Sequence, residues 1–186
     1  MLERALVEHG SPTLARLKLG SLINVSYKGS EELLKEIRRL NRMFAPKGLV
    51  LTVLRMDKTR ALIYLFRCGH LKRKLSCPMV RSFLSEYGYL GFSVAEALKT
   101  LRSRIAHQGD FPHEIGIFLD YPLSDIQDFI RHGGQNCRMC GVWKVYSNEE
   151  DAARTFSRFK KCKDVYTRLY REGCPLARLT VATGAA

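Results

Sequence analysis

The sequence predicts a single compact domain of the α/β or α+β class, with a mixed sheet of about five strands flanked by helices. Two observations lead to this class. Strand-like apolar segments alternate with amphipathic helical segments along the chain. The chain also has 186 residues, of which 46% are hydrophobic and 26% charged, which is ordinary for a protein that buries a core.

The N-terminal part is predicted to contain two helices and a strand. Residues 2–18 are expected to be helical with a break at Gly10-Ser11-Pro12, and residues 22–27 have the composition of a strand. Ser30 is expected to cap the next helix. Its buried face is formed by apolar residues that recur at helical spacing, namely Leu33, Ile37, Leu40 and Phe44.

A β-hairpin is predicted next, from Leu49–Met56 and Arg60–Arg67 joined by a short polar loop. The basic stretch 69–77 follows the hairpin. It is the one candidate boundary, and it would divide the chain into a β-α-β-β unit over 1–68 and a more helical part over 69–186.

The remainder is predicted to alternate helices with short strands. Helices are expected over 78–87, from the capping box at Ser93 to about residue 107, from Pro122 to about residue 132, from Asn148 to Gly173, and around 176–181. Strands are expected over 114–119 and 142–146. Gly109-Asp110 is expected to stop the second of these helices, and the terminal small residues to fray.

The net charge of +13, from 31 Lys and Arg against 18 Asp and Glu, favours an anionic partner such as nucleic acid or a phosphorylated ligand. The alternative is a solvated basic surface without a ligand. Basic residues cluster around His70 and along the last long helix. The candidate anion-binding residues are Arg67, Lys72, Arg73, Lys74, Lys144, Arg158 and Lys161.

The compartment is predicted from what the sequence lacks. No apolar stretch approaches the roughly 20 residues of a membrane-spanning helix, and the first residues do not resemble a secretory signal. No membrane partner is therefore expected. The six cysteines are expected to be thiols or metal ligands in a reducing cytoplasm.

Cys137 and Cys140 carry the strongest chemical signal, because two residues separate them and a Gly-Gly pair precedes them. This spacing allows one loop to offer two thiolates to a metal, zinc or an iron–sulfur cluster, with Cys162 and His113 as further ligands. The same pair could act as redox thiols, although no helix follows to lower their pKa. The third interpretation is a turn in which Cys137 and Cys140 are inert. For Cys162 the corresponding alternative is a cysteine buried in the core.

His113 and Glu114 are candidate catalytic residues at the start of the predicted strand 114–119. Strand alternation would place them on opposite faces, so that they would not form an acid–base pair. His113 could serve as a metal ligand or general base, and a hydrogen-bonded structural histidine is the alternative. For Glu114 the default is a structural ion pair.

A polar cluster follows the first helix and consists of His9, Ser11, Thr13 and Lys18. Nucleophilic chemistry would need an orienting group and an oxyanion hole, and neither is recognisable. Helix capping by Ser11 is the expected role.

Four stretches resemble one bacterial family, the domain of unknown function 3793: HGSPTLARLKLGSLINVSY, RALIYLFR, FPHEIGIFLDYPLSDIQDFI and CGVWKVYSNEEDAARTFSRFKKC. The similarity covers residues 9–181. It implies a small cytoplasmic protein, mostly of anaerobic bacteria, and implies no reaction. Similar sequences tend to have Gly at the position of Asp120, which argues against a shared catalytic role there. Cys68 and Cys77 lie outside the matching stretches.

Two functions therefore follow from the sequence. The first is a thiol- or metal-dependent redox protein or enzyme that uses the Cys-x-x-Cys loop. The alternative is a basic module that binds nucleic acid or a phosphorylated ligand without catalysis. The sequence leaves the oligomeric state open.

Overall fold

The centre of the fold is strand β3, which is buried on both faces. In the computed structural model, which describes residues 1–107 and 111–183, strands β1 (Gly20–Ser26), β2 (Leu49–Met56) and β3 (Arg60–Arg67) form an antiparallel sheet in the order β1-β3-β2. Side chains alternate along a strand. Tyr64 and Phe66 therefore enter one hydrophobic cluster while Ile63 and Leu65 enter the other.

Helices α1 (Leu2–Leu14) and α2 (Ser30–Phe44) supply the helical side chains of the cluster around Ile63 and Leu65. The predicted stripe of α2, from Leu33 to Phe44, is buried there. Leu176 and Leu179, from turns near the C-terminus, complete this cluster.

The other cluster draws on the middle of the chain. It receives side chains from α3 (Cys68–Ser76), α4 (Pro78–Ser85), α5 (Val94–His107), a 3₁₀ helix (His113–Ile117) and α6 (Leu123–Arg131). The basic stretch 69–77 is therefore mostly helix α3, whose Leu71 and Leu75 are fully buried. The result is one compact domain in which two helical layers enclose the sheet.

The remaining elements are a β-ribbon and a long helix. Strands β4 (Met139–Cys140) and β5 (Lys144–Val145) pair antiparallel and form the ribbon. Helix α7 (Glu149–Arg171) follows directly and packs along α1. No helix of the described residues is long and apolar enough to cross a membrane.

The predicted class, a single compact domain of helices and sheet, is confirmed. The arrangement of the strands differs from the expected mixed sheet of about five, since the described strands are all antiparallel and fall into groups of three and two. The expected strand 114–119 is a 3₁₀ helix followed by a turn. All six of its residues are buried, so the segment lacks the alternation of a half-exposed strand. A short apolar run does not by itself distinguish a strand from a buried helical turn.

The predicted break at Gly10-Ser11-Pro12 is also wrong, because α1 continues to Leu14. Ser11 does not cap a helix. It is buried within α1, and its hydroxyl donates to the carbonyl of Val7 one turn earlier. Pro12 lies in the last turn of α1 and has no N–H to donate to the carbonyl one turn earlier, yet the helix continues past it.

Several predicted helix ends are confirmed. Ser93 and Glu96 form the capping box, with the Ser93 N–H donating to Oε2 of Glu96 at 3.2 Å. Asn148 caps α7 by accepting from the Asp151 N–H, and Gly173 follows the helix with φ of 90°. Residues 176–181 form turns rather than a helix. The stop at Gly109-Asp110 and the terminal tail from 184 lie outside the described residues.

Candidate functional site

Cys137 and Cys140 lie at the start of the β-ribbon with their Sγ atoms 3.2 Å apart. Cys137 is half-buried and Cys140 is exposed. Between them, the Arg138 N–H donates to the carbonyl of Val145 at 2.9 Å. The ribbon pairing therefore directs both sulfur atoms to the same place.

Left-handed backbone conformations bring the chain from α6 into the ribbon. Gly133, Gly134 and Asn136 have φ values of 55°, 74° and 58°, which glycine and asparagine adopt most readily. Gly141 follows the pair, and a Cβ atom there would lie 2.1 Å from the ring of Phe156. The sequence Cys-x-x-Cys-Gly thus allows the ribbon to lie flat on an aromatic ring of α7.

Asp125 of α6 fastens the ribbon to the rest of the protein. Its side chain is buried, and Oδ1 accepts from the N–H groups of Tyr146 and Ser147 at 3.0 and 3.1 Å. Oδ2 accepts from the indole N–H of Trp143 at 2.8 Å. Both oxygens of this side chain are engaged as acceptors, so its role is to position the ribbon.

A cleft of about 430 Å³ opens beside Cys140. Its walls are largely aromatic and aliphatic and include Phe111, Ile115, Tyr121, Ile126, Phe129, Val142 and Trp143. His113 and Lys144 add a polar group each, and this combination of apolar walls and few polar groups is typical of ligand sites.

The polar groups near the cysteines are held in defined places. The His113 ring meets the Phe129 ring edge to face, with centroids 5.0 Å apart. The Lys144 ammonium donates to the carbonyl of Gly134 at 2.6 Å. Tyr146 is buried, and its hydroxyl has no hydrogen-bond partner among the described residues.

The electrostatics of the pair follow from the contact between the two sulfur atoms. The hydrogen bond with Cys140 raises the pKa of the Cys137 thiol, and the nearby charge of Lys144 opposes this rise. Burial, and then the charge that Cys137 would carry, raises the pKa of Tyr146. Tyr146 therefore remains a neutral hydroxyl near the pair.

Comparison with known proteins decides the family. Residues 6–180 match the profile of the family described as "Protein of unknown function (DUF3793)". The chain belongs to the DUF3793 family. No curated protein and no solved structure matches it.

Of the four residues predicted as metal ligands in this DUF3793 chain, only Cys137 and Cys140 come together. Over residues 1–107 and 111–183, no group of three or more His, Cys, Asp or Glu side chains is placed to hold a metal ion. Cys162 is buried on α7, where burial raises the pKa of its thiol to about 11. His113 lines the cleft beside Cys140 but does not complete a ligand set with the pair.

Glu114, the second catalytic candidate of the DUF3793 chain, is fully buried in an ion pair with Arg104 of α5. Its Oε1 also lies 3.3 Å from the hydroxyl of Tyr89, which is buried as well. The default prediction of a structural ion pair therefore describes this contact. Catalysis by Glu114 would require access to solvent, and its burial argues against that role.

The predicted anion-binding residues separate into two groups. Arg67 is fully buried, so its assignment to a surface site is wrong. Its guanidinium donates to the carbonyls of Thr13, Leu14 and Val181 and to the Thr183 hydroxyl, at 2.8 to 3.0 Å. Burial lowers its pKa to about 10.

Lys74 is half-buried and pairs with Asp120 at 2.9 Å.

The other members of this set are exposed. They are Lys72 and Arg73 on α3, Lys144 on the ribbon, and Arg158 and Lys161 on α7.

Sequence reasoning missed Asp125 and Trp143. Asp125 resembles an ordinary acidic residue in the first turn of a helix, and Trp143 an ordinary core aromatic. The one signal available was their position inside two of the four stretches that resemble the family.

Proposed function

We propose that the protein is a dithiol–disulfide exchange protein, with Cys140 as the attacking thiol and Cys137 as the resolving thiol. The observation that carries this proposal is the 3.2 Å separation of the two Sγ atoms at a solvent-accessible loop. Disulfide formation needs two sulfur atoms that can approach one another without rebuilding the backbone.

Accessibility and hydrogen bonding support the order of the two roles. Cys140 is exposed and lines the cleft, so an incoming disulfide can reach it. Cys137 is less exposed, and the hydrogen bond with Cys140 raises the pKa of its thiol, which fits the resolving role. The attacking species in such exchanges is a thiolate.

The proposed reaction has two steps. The Cys140 thiolate attacks one sulfur of a substrate disulfide, forms a mixed disulfide and expels the other half of the substrate as a thiolate. Cys137 then loses its proton and attacks the Cys140 sulfur, which releases the second substrate thiolate. The substrate gains two electrons, and the two cysteine protons go to the released thiolates. A dithiol reductant then reduces the Cys137–Cys140 disulfide and is itself oxidised to a disulfide.

The surroundings support negative charge at the loop and an apolar substrate beside it. The positive charge of Lys144 lowers the pKa of Cys137 and so favours its thiolate. The hydroxyl of Tyr146, which has no hydrogen-bond partner among the described residues, interacts electrostatically with a charge on Cys137. The walls of the adjacent cleft suit the apolar flank of a substrate disulfide, with Phe111 and Val142 exposed at its edge.

Metal ligation by the same loop is less well supported. Two sulfur atoms are half of the donor set that a tetrahedral zinc or iron site requires. Among the described residues no third His, Cys, Asp or Glu side chain joins them. A metal at this loop would therefore need donors from outside the described part of the chain.

Thiol trapping in redox buffers tests the proposal. Anaerobically purified protein is equilibrated at set ratios of reduced to oxidised dithiothreitol, then alkylated and mapped by mass spectrometry. We expect Cys137 and Cys140 to lose their thiols together with one midpoint. The variants Cys137→Ser and Cys140→Ser should each abolish this transition, whereas Cys68→Ser should leave it unchanged.

Two results would contradict the proposal. One is that the two thiols never pair with each other at any buffer ratio. The other is zinc or iron in the isolated protein that protects both cysteines from alkylation, which would make the loop a metal ligand.

A second candidate function, binding of a nucleic acid or another polyanion, is favoured by the net charge of +13. It would use the exposed Lys72 and Arg73 of α3 and Arg158 and Lys161 of α7. Binding to an RNA oligonucleotide should then weaken steeply with salt. It should also weaken in a Lys72→Ala, Arg73→Ala double variant, and the absence of binding at low salt would exclude this function.

A further inference from the structure

A second cavity, distinct from the cleft beside Cys140, contains a buried lysine. It has a volume of about 470 Å³ and lies between the turn after α1, the turn before α6 and the first turns of α7. Lys18 lines it together with Asp120, Trp143, Asp151 and Phe159. The volume falls within the range of small-molecule sites.

Lys18 is the unusual member of this lining. Only 9% of the residue is exposed. Its ammonium lies 5.2 Å from the centroid of the Tyr121 ring and 6.0 Å from that of Phe159. Among residues 1–107 and 111–183, no side chain or carbonyl accepts a hydrogen bond from this ammonium, and no carboxylate forms an ion pair with it.

The carboxylates that face the cavity are already engaged. Asp120 pairs with Lys74 at 2.9 Å, and Asp151 pairs with Arg154 at 2.5 Å. Asp125 accepts from the ribbon, as described above. Lys18 is therefore a buried cation that forms no hydrogen bond or ion pair with these side chains, and the charge of Asp120 acts on it only at longer range.

Burying a charge in this way is costly, and the cost is reflected in the pKa of Lys18, which burial lowers to about 8. Aromatic faces stabilise an ammonium only in part. A negatively charged group inside the cavity would supply the missing interaction directly.

The remaining lining indicates how much negative charge the cavity accepts. The three aspartates disfavour a doubly charged phosphate, because each added charge would face carboxylates as well as one ammonium. The hydroxyls of Ser124, Ser147 and Thr155 line the same cavity and can bind polar groups of a ligand. Leu17, Leu119 and Pro122 supply apolar wall.

We propose that this cavity is a binding site for a small organic carboxylate, whose carboxylate group accepts hydrogen bonds from the ammonium of Lys18. Neither Cys137 nor Cys140 lines this cavity, although Trp143 and Asp125 border both it and the cleft beside Cys140.

Trp143, the single tryptophan of the chain, lines the cavity and gives a direct optical signal. The probes are the sodium salts of acetate, lactate, pyruvate, 3-hydroxybutyrate and glutamate, with lactamide and inorganic phosphate as comparison compounds. We expect at least one carboxylate to change the Trp143 fluorescence with saturation. Lactamide should have no effect, and phosphate should bind more weakly than that carboxylate.

Variants then assign the signal to Lys18. Lys18→Met should weaken the carboxylate at least tenfold, whereas Lys72→Met, which changes an exposed lysine on α3, should not. A second measurement avoids any variant that fails to fold. In the wild-type protein, the bound carboxylate should slow the reductive methylation of Lys18 but not that of Lys72. Mass spectrometry measures the rate of methylation at each lysine.

Three outcomes would overturn the proposal. The first is that none of the five carboxylates binds. The second is that a carboxylate binds equally well to Lys18→Met and protects no lysine from methylation. The third is that inorganic phosphate binds more tightly than every carboxylate. The last result would identify the cavity as a phosphate site.

Discussion

The indole N–H of Trp143 donates a 2.8 Å hydrogen bond to Oδ2 of Asp125, and Trp143 borders both the thiol cleft and the Lys18 cavity. The same carboxylate accepts from two backbone N–H groups that follow the ribbon. The ribbon itself has only two residue pairs, too few to be stable alone. Its position therefore depends on contacts with the rest of the protein, among them this side chain of α6, the hydroxyl of Tyr121 and the ring of Phe156.

Asp125→Ala should loosen the ribbon and lower the free energy of unfolding by about 3 kcal/mol. Several buried donors would lose their acceptor, and hydrogen bonds to a charged group contribute about 1.5–3 kcal/mol each, part of which water recovers. Urea unfolding followed by Trp143 fluorescence measures the change. Asp128→Ala, which removes the partner of Arg131 at the surface, is the control. Equal stability of the two variants would contradict this role.

Lys18→Met should stabilise the protein at pH 7, because the wild-type protein buries a charge there. The folded pKa of Lys18 is lowered from 10.5 to about 8, and one pKa unit corresponds to about 1.4 kcal/mol, so the gain should be roughly 3–3.5 kcal/mol. The free-energy cost of burying the charged Lys18 is complete below pH 8. This cost disappears as the pH rises from 8 towards 10.5, because in that range the folded state has lost the proton that the unfolded state still holds.

The measurement is the difference in urea stability between wild type and Lys18→Met at pH 7 and at pH 10. The difference should shrink at the higher pH, and Lys72→Met should differ little from wild type at either. A difference that grows with pH would show that Lys18 is stabilised, not destabilised, by its surroundings.

Arg67→Met should lower the free energy of unfolding by about 3 kcal/mol or more, because three carbonyls and a hydroxyl lose their donor. The loss should also release the segment near the C-terminus, where the Val181 N–H bonds to Leu14. Amide exchange at Val181 reports this release. Arg73→Met, at an exposed position of α3, should change neither quantity.

Cys162 should react with iodoacetamide at pH 8 at least tenfold more slowly than the exposed Cys68. Burial raises its pKa to about 11, so that about one molecule in a thousand carries the thiolate at this pH. The two rates should approach each other in urea. Equal rates in the folded protein would mean that α7 opens readily at this point.

Most of the regular structure could be predicted from local patterns. The hairpin of β2 and β3 has the predicted bounds, and the stripe of α2 and the capping box at Ser93 are found as predicted. Each of these features depends on residues close together in sequence. The 3₁₀ helix His113–Ile117 could not be recognised, because its burial comes from α6, where Ile126 would lie 2.7 Å from a Cβ atom on Gly116.

The candidate site could be predicted only in part. The nearness of Cys137 and Cys140 follows from their spacing, but the separation of Cys162 from them depends on which face of α7 meets α1. Arg67 and Lys18 look like surface cations in the sequence. Their burial arises from the C-terminal segment and from α7, which fold back over residues more than 100 positions earlier.

The two-sided burial of β3 limits how the chain can be divided. A fragment that ended at Arg67 would keep the partners of Ile63 and Leu65 from α1 and α2 but would expose the rings of Tyr64 and Phe66. Such an uncovered aromatic surface promotes aggregation in water. Shortened versions of the protein should therefore retain α3 to α6.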